Sequence, residues 1–357
     1  MIINLPDADA LTETALRLYF DAWDRLRGIL ADWDTRIPDA PLAKPIPALW
    51  KEEVEAYLDD CQADLQAIIA VIQQSNELAL KAKLCAVSPY LLLLENPIPM
   101  SNDPKPLDFF DLKTIDAQKL PQAVNTLCAT PLPATFLTRF DGLRKVRNRY
   151  THLGHAGAHL YPIKMMHSLL DQFLELWPDR DWLSDRIRVA HHDRAAGFGD
   201  KFWNPAYGVL QMWSGDVSLM PPAKFRALFG IRPKDLRYLC HACRKEAATR
   251  EGLFGLSAPT AYLLPDGLTI QCFACQKPTS AVREKCERSK CGAEVMGAGE
   301  HDGMCHRCGH ERGSPFDDED NTSSGSLATL LTLPQSSVRT AETRRQEIVR
   351  ESLANHQ

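Results

Sequence analysis

Apolar residues recur every three or four positions through most of the first half of the chain. Between residues 9 and 34 they fall at Leu11, Ala15, Leu18, Ala22, Leu26 and Ile29, which is one face of a helix. A proline-rich stretch, residues 38–47, breaks the pattern, and it resumes over residues 49–94 with an interruption at Ser88-Pro89. A polar, proline-rich loop at residues 96–106 precedes further helical periods at residues 115–128, 136–152 and 163–177. Residues 1–180 therefore read as an all-α bundle, and the chain as mainly α. Residues 181–236 carry the aromatic-plus-turn texture of a docked connector, with Trp203-Asn204-Pro205 and Met212-Trp213-Ser214-Gly215.

The period changes after residue 237. Ala261-Tyr262-Leu263-Leu264 and Leu268-Thr269-Ile270 flank Pro265-Asp266-Gly267 and predict a β-hairpin. Residues 237–312 form a small cysteine-rich module. Residues 313–357 begin with the acidic run at residues 317–326, read as a disordered linker, and end in an amphipathic piece at residues 338–353.

The helical period at residues 136–152 has chemistry at its end. Phe136, Leu137, Phe140, Leu143, Val146 and Tyr150 make the buried stripe, so Arg144, Arg147, Asn148 and Arg149 fall beside or opposite it, and Gly154 ends the helix. The run Arg147-Asn148-Arg149-Tyr150-Thr151-His152 sets a residue type that keeps its charge beside one that titrates near neutrality. Such a pair can stabilise a phosphorane and move a proton, which is what metal-independent RNA cleavage requires. Five residues apart on an ideal helix, the two side chains point about 140° from each other. Two copies of the helix meeting across a two-fold axis would bring arginines and histidines into one cleft. The plain reading of the same residues is a basic helix end complementing the terminal carbonyls.

Arg-x4-His with a polar residue after the arginine resembles the signature of HEPN domains, helical nucleotide-binding and RNase modules of prokaryotic toxin and antiviral systems. Residues 76–84, followed by Ser88-Pro89-Tyr90-Leu91-Leu92, are similar to the apolar second helix of that family. The resemblance covers roughly the first half of the chain. It implies a catalytic pair of Arg147 and His152, with Asn148 as a polar adjunct, at a homodimer interface. It further implies an endoribonuclease of a bacterial toxin or phage-defence system, with a regulatory or neutralising protein partner. Arg149-x5-His155 satisfies a looser form of the spacing and ranks second, because His155 lies beyond Gly154.

Eight of the 11 cysteines lie between residues 240 and 308. They group as Cys240-x2-Cys243, Cys272-x2-Cys275, Cys286-x4-Cys291 and Cys305-x2-Cys308, the ligand count of two tetrahedral four-cysteine zinc sites. Sequential pairing is the simplest assignment and a cross-braced one is open. Two Zn2+ ions are expected as structural cofactors, and the ribbons as units that fold with their metal. His241, His306 and His310 read as solvent-exposed or phosphate-bound. Cys61, Cys85 and Cys128 read as buried thiols, and His191-His192-Asp193 as a polar helix end.

The net charge of −5 is unevenly spread. Residues 1–64 are acidic, whereas Lys224, Arg226, Arg232, Lys234, Arg237, Arg244, Lys245 and Arg250 face only Asp235 and Glu246 in their stretch. Arg144, Lys145, Arg149, Arg237, Arg244 and Lys245 are the expected nucleic-acid contacts, with Phe225, Phe229, Tyr238 and Phe273 as stacking faces. A solvated face or a protein-docking scaffold competes with that reading. Pro6-Asp7-Ala8-Asp9 is polar where a targeting segment would be charged and then apolar, and Leu91-Leu92-Leu93-Leu94 is far too short to span a bilayer, so a cytoplasmic protein without a membrane partner is expected.

Overall fold

The computed structural model describes residues 1–42, 44–94, 106–153, 159–190, 205–245 and 259–313. His155, residues 191–193, Trp203-Asn204 and the acidic tail lie outside them. Among the described residues no helix is long and apolar enough to cross a membrane.

The protein is mainly helical, with a small antiparallel sheet toward its C-terminal end. Helix α1 (Ala8–Arg36) starts where the Asp7 carboxylate accepts the Ala10 amide at 2.8 Å. Its buried positions, Leu16, Tyr19, Phe20, Trp23, Leu26 and Leu30, form one stripe against α3 (Gln62–Val87), which offers Leu65, Ile68, Ile69, Ile72, Leu80 and Leu84. Helices α5 (Ala134–Leu153) and α6 (Pro162–Leu176) close the bundle.

The long period at residues 49–94 divides. Helix α2 (Lys51–Asp60) stops at Cys61, and α3 starts at the next residue. No proline or glycine marks this break. Gln62 holds it, donating to the carbonyls of Leu58 and Leu160 at 2.8 and 3.1 Å while its own oxygen accepts the Leu160 amide at 3.0 Å. Helix α4 (Leu120–Leu127) is shorter than the period at residues 115–128 suggests. Pro121 sets its first turn, and the Ile115 amide is already committed to the Leu92 carbonyl at 2.7 Å. A two-residue parallel pair, β1 (Ile2–Ile3) with β2 (Leu107–Asp108), is unheralded by any alternation in the sequence.

The stretch read as a connector contributes core. Helices α7 (Trp182–Ala190), α8 (Pro205–Leu219) and α9 (Pro222–Phe229) bury Trp182, Trp213, Phe225 and Phe229 in the same cluster as α1 and α3. Arg186 of α7, 2% exposed, pairs with the fully buried Asp216 of α8 at 2.5 Å and with Asp24 of α1 at 2.6 Å. Trp23 donates its indole N–H to Asp216 at 3.1 Å. Desolvation pushes the Asp216 carboxyl above its ordinary value, and the Arg186 charge opposes that. Replacing Asp216 by alanine should destabilise the fold by about 3–5 kcal/mol, because the Arg186 guanidinium is left buried without its main partner. Denaturant unfolding checks this; a change under about 1 kcal/mol would contradict it.

The sheet runs β3 (Ala261–Leu263), β4 (Thr269–Cys272), β5 (Pro278–Val282), β6 (Met296–Gly297), each antiparallel to its neighbour. The hairpin is where the sequence pattern places it. Asp266 accepts the amides of Leu268 and Thr269 at 2.9 and 3.0 Å, and Gly267 takes the left-handed conformation, φ 71°, that the turn needs.

Candidate metal centres and the arginine–histidine helix

The eight cysteine sulfurs gather into two groups, Cys240 with Cys243, Cys272 and Cys275, and Cys286 with Cys291, Cys305 and Cys308. Within each group all four sulfurs lie within 4.8 Å of one another. Pairing is thus sequential. The knuckle after α9 meets the turn after β4, and the turn after β5 meets the knuckle after β6.

The spacing of the sulfurs decides what they can hold. Cys240–Cys275 and Cys243–Cys272 are 3.6 and 3.9 Å apart, and Cys286–Cys308 and Cys291–Cys305 are 3.7 and 3.8 Å apart. A disulfide needs about 2.05 Å, so these are thiols, and no cysteine is bridged. Sulfurs about 2.3 Å from a central ion at tetrahedral angles stand about 3.8 Å apart. Both groups have that edge length and could hold a metal ion. Backbone amides add support in each knuckle, Ala274 to Cys272 at 3.3 Å and Arg307 to Cys305 at 3.4 Å. In the first group, hydrogen bonds from Cys240 and Cys243 pull Cys272 and Cys275 below the ordinary thiol value, while Cys243 is raised. A cation bound among the four sulfurs would displace the thiol protons.

The two groups interlock. The Leu239 amide donates to the His306 carbonyl at 2.6 Å, and the His306 Nδ1 sits 3.0 Å from the Leu239 carbonyl. His241, inside the Cys240–Cys243 turn, and His306, inside the Cys305–Cys308 turn, stack at 4.3 Å between the ring centres. These histidines were expected at the surface and are instead 1% and 0% exposed, and the His310 side chain is 6% exposed. Burial, with His306 and Arg244 adding to it, pushes His241 down to about 3, so the ring is neutral and can lie in the interior. Arg244 follows the first knuckle and turns onto the second. Its guanidinium occupies the space that a side chain on Gly309 would need; burial lowers its pKa from the ordinary value, and the Cys308 and Cys305 sulfurs oppose that. A four-thiolate site around a divalent ion would carry net negative charge, which Arg244 would offset.

The expected stacking faces are also interior. Phe225, Phe229 and Phe273 are 0%, 7% and 6% exposed and pack on one another and on Trp213, because the first knuckle docks on α8 and α9. Only Tyr238 of that set keeps partial exposure.

Helix α5 carries the arginine–histidine run to its C-terminal turn. Phe136 and Phe140 anchor it in the core, and Arg139 makes a forked pair with Glu175 of α6 at 2.7 and 2.9 Å. Arg147 is half-buried, and its Nη2 reaches Glu77 of α3 at 3.3 Å; the same Glu77 oxygen accepts from the buried Gln73 at 3.2 Å. Asn148 is half-buried, while Arg149 and His152 are exposed. Arg144 and Lys145 both turn to Asp141, at 2.9 and 2.5 Å, and hold its carboxyl below the usual range. In the ribbon region Lys245 and Arg237 are exposed, the latter donating to the Lys234 carbonyl at 2.7 Å. The Glu77–Arg147 tie was missed in the sequence, although Glu77 lies in the segment read as helix. No protein-family model, curated protein or solved structure matches this chain.

Proposed function

We propose that the chain is a metal-independent endoribonuclease of HEPN type, built on a bundle that carries two structural zinc sites. The observation that carries the reading is the end of α5, where an exposed His152 follows a half-buried Arg147 seated on Glu77. Glu77 takes one of the five guanidinium N–H groups, so the others can still meet a phosphate.

In a dimer joined through the bundle, two copies of α5 face one cleft. One His152 takes the proton of a ribose 2′-hydroxyl as the 2′-oxygen bonds to phosphorus. The phosphorus–O5′ bond breaks, and the second His152, protonated, gives its proton to O5′. Arg147 balances the charge on the non-bridging oxygens, and Asn148 orients the phosphate. The setting that the resemblance suggests is a cytoplasmic toxin or phage-defence system held in check by a protein partner. The test is incubation of the purified chain with labelled RNA and a brief excess of EDTA. Products ending in 2′,3′-cyclic phosphate and 5′-hydroxyl are expected; intact RNA, or 5′-phosphate ends, would sink the proposal.

Zinc is the proposed ion because protein sulfurs fill all four positions, leaving none open for catalysis. Elemental analysis should return about two zinc ions per chain. Iron in their place, or a folded chain with less than about one ion, would overturn this.

A second reading, RNA binding without cleavage, has one observation in its favour. Within a single chain Arg147 and His152 point about 140° apart around α5, so a monomer has no converged pair. Light scattering decides between the two, together with the cleavage assay.

A further inference from the structure

A cleft of about 580 Å³ opens between the two four-cysteine ribbons, lined among others by Lys245, Lys277, Thr279, Ser280, Glu300 and His301. Its walls come from both halves of the module. Ala242 lies within the first knuckle and Lys245 follows it, Lys277 leads into β5, whose first residues are Pro278 to Ser280, and Gly299 to His301 follow β6. Two contacts fix the walls against each other. The Ala298 amide donates to the Ser280 carbonyl at 3.0 Å, and the His301 ring packs on His241 at 5.4 Å. The shape of the cleft therefore depends on both centres being formed.

Its chemistry is that of a phosphate-bearing ligand. Lys245 and Lys277 are exposed, two hydroxyls and an imidazole stand between them, and Glu300 is the single acid among the lining residues. The volume lies in the range that takes a nucleotide-sized group. The lining is mixed, with Ala242, Pro278 and Ala298 beside the polar groups. The stacking role that buried phenylalanines cannot serve passes to charge and hydrogen bonding.

We propose that this cleft binds the phosphates of single-stranded RNA and is the substrate-holding site of the chain. It rests on the reading that the chain handles RNA, and it answers how a ribbon whose aromatic residues and Arg244 face inward can still hold a strand. Lys245 and Lys277 each meet a phosphate, and His301, Thr279 and Ser280 supply hydrogen bonds. Glu300 repels and so limits affinity.

The experiment uses the zinc-loaded full chain and a fluorescent 2′-O-methyl RNA oligomer, which lacks the hydroxyl needed for cleavage, so binding is read independently of cutting. Each phosphate contact on a single strand adds about 0.7 to the slope of log K against log salt. The Lys245→Ala/Lys277→Ala double variant should lose about 1.4 from that slope and bind at least about tenfold more weakly at low salt. Glu300→Gln, at an exposed position, should bind more tightly than the parent. Both variants must keep their metal content. Unchanged slope and affinity in the double variant, or displacement of the RNA by a polyglutamate peptide of equal charge, would overturn the site. Absence of cleavage of ordinary RNA, with this binding intact, would sink the nuclease reading and leave the cleft standing.

Discussion

His152→Ala is expected to abolish RNA cleavage, by at least about 100-fold, while leaving fold, metal content and assembly unchanged. The side chain is exposed at the last turn of α5, so its removal creates no cavity. The most it takes from stability is the interaction of a charged ring with the helix end, up to ~2 kcal/mol and less at an exposed site. Arg147→Ala should also inactivate. Arg147→Lys should recover little, since an ammonium cannot keep one bond to Glu77 and present a planar fork to phosphate. His155→Ala is the control and should cut as the parent does. A His152→Ala variant with full activity, or a dead His155→Ala variant, would remove the active site assigned here.

The second large effect separates the two four-cysteine groups. Cys272→Ser should lower the melting midpoint of the helical signal by about 6–12 °C, whereas Cys286→Ser should leave it nearly unchanged and lose only the second ion. The reason is where each knuckle is anchored. Phe273, between Cys272 and Cys275, belongs to the main core, 5.1 Å from Phe229 and 4.8 Å from Tyr262. Trp213 of α8 donates to the Pro259 carbonyl at 3.2 Å, just ahead of β3. Releasing that knuckle withdraws a buried phenylalanine from the bundle, at a scale of about 3 kcal/mol. The second centre has a small cluster of its own, Cys286, Ala293, Met296 and Cys305. Circular dichroism melts of both variants, with metal analysis, decide it; equal shifts would show that the module melts as one with the bundle.

These two centres also show what a sequence can tell. The ligand sets were legible, because a Cys-x2-Cys turn is a local geometry that spacing encodes, and Asp266-Gly267 encodes its hairpin in the same way. Helix α5 was legible through Phe136, Phe140 and Val146. The break at Cys61 was not, since Gln62 enforces it through Leu160, 98 residues away. Nor was the burial of His241, Phe225 and Phe273. An aromatic or imidazole beside basic residues reads as a surface group until the opposing wall is known, and here the walls are α8, α9 and the second knuckle. The β1–β2 pair is two residues long on each side, too short for alternation to register.

The interlocking of Leu239 with His306 sets an order of events during synthesis. These partners are 67 residues apart, so at ordinary translation rates of about 5–20 residues per second the first knuckle waits about 3–13 s for its counterpart. Cys240, Cys243, Cys272 and Cys275 are complete well before then and can take up an ion while His241 still faces water. A nascent chain at that stage would carry its first four thiols unshielded. The exposure of the first knuckle to oxidation or to a wrong ion would be greatest in that interval, and it would end when the His306 ring packs on His241.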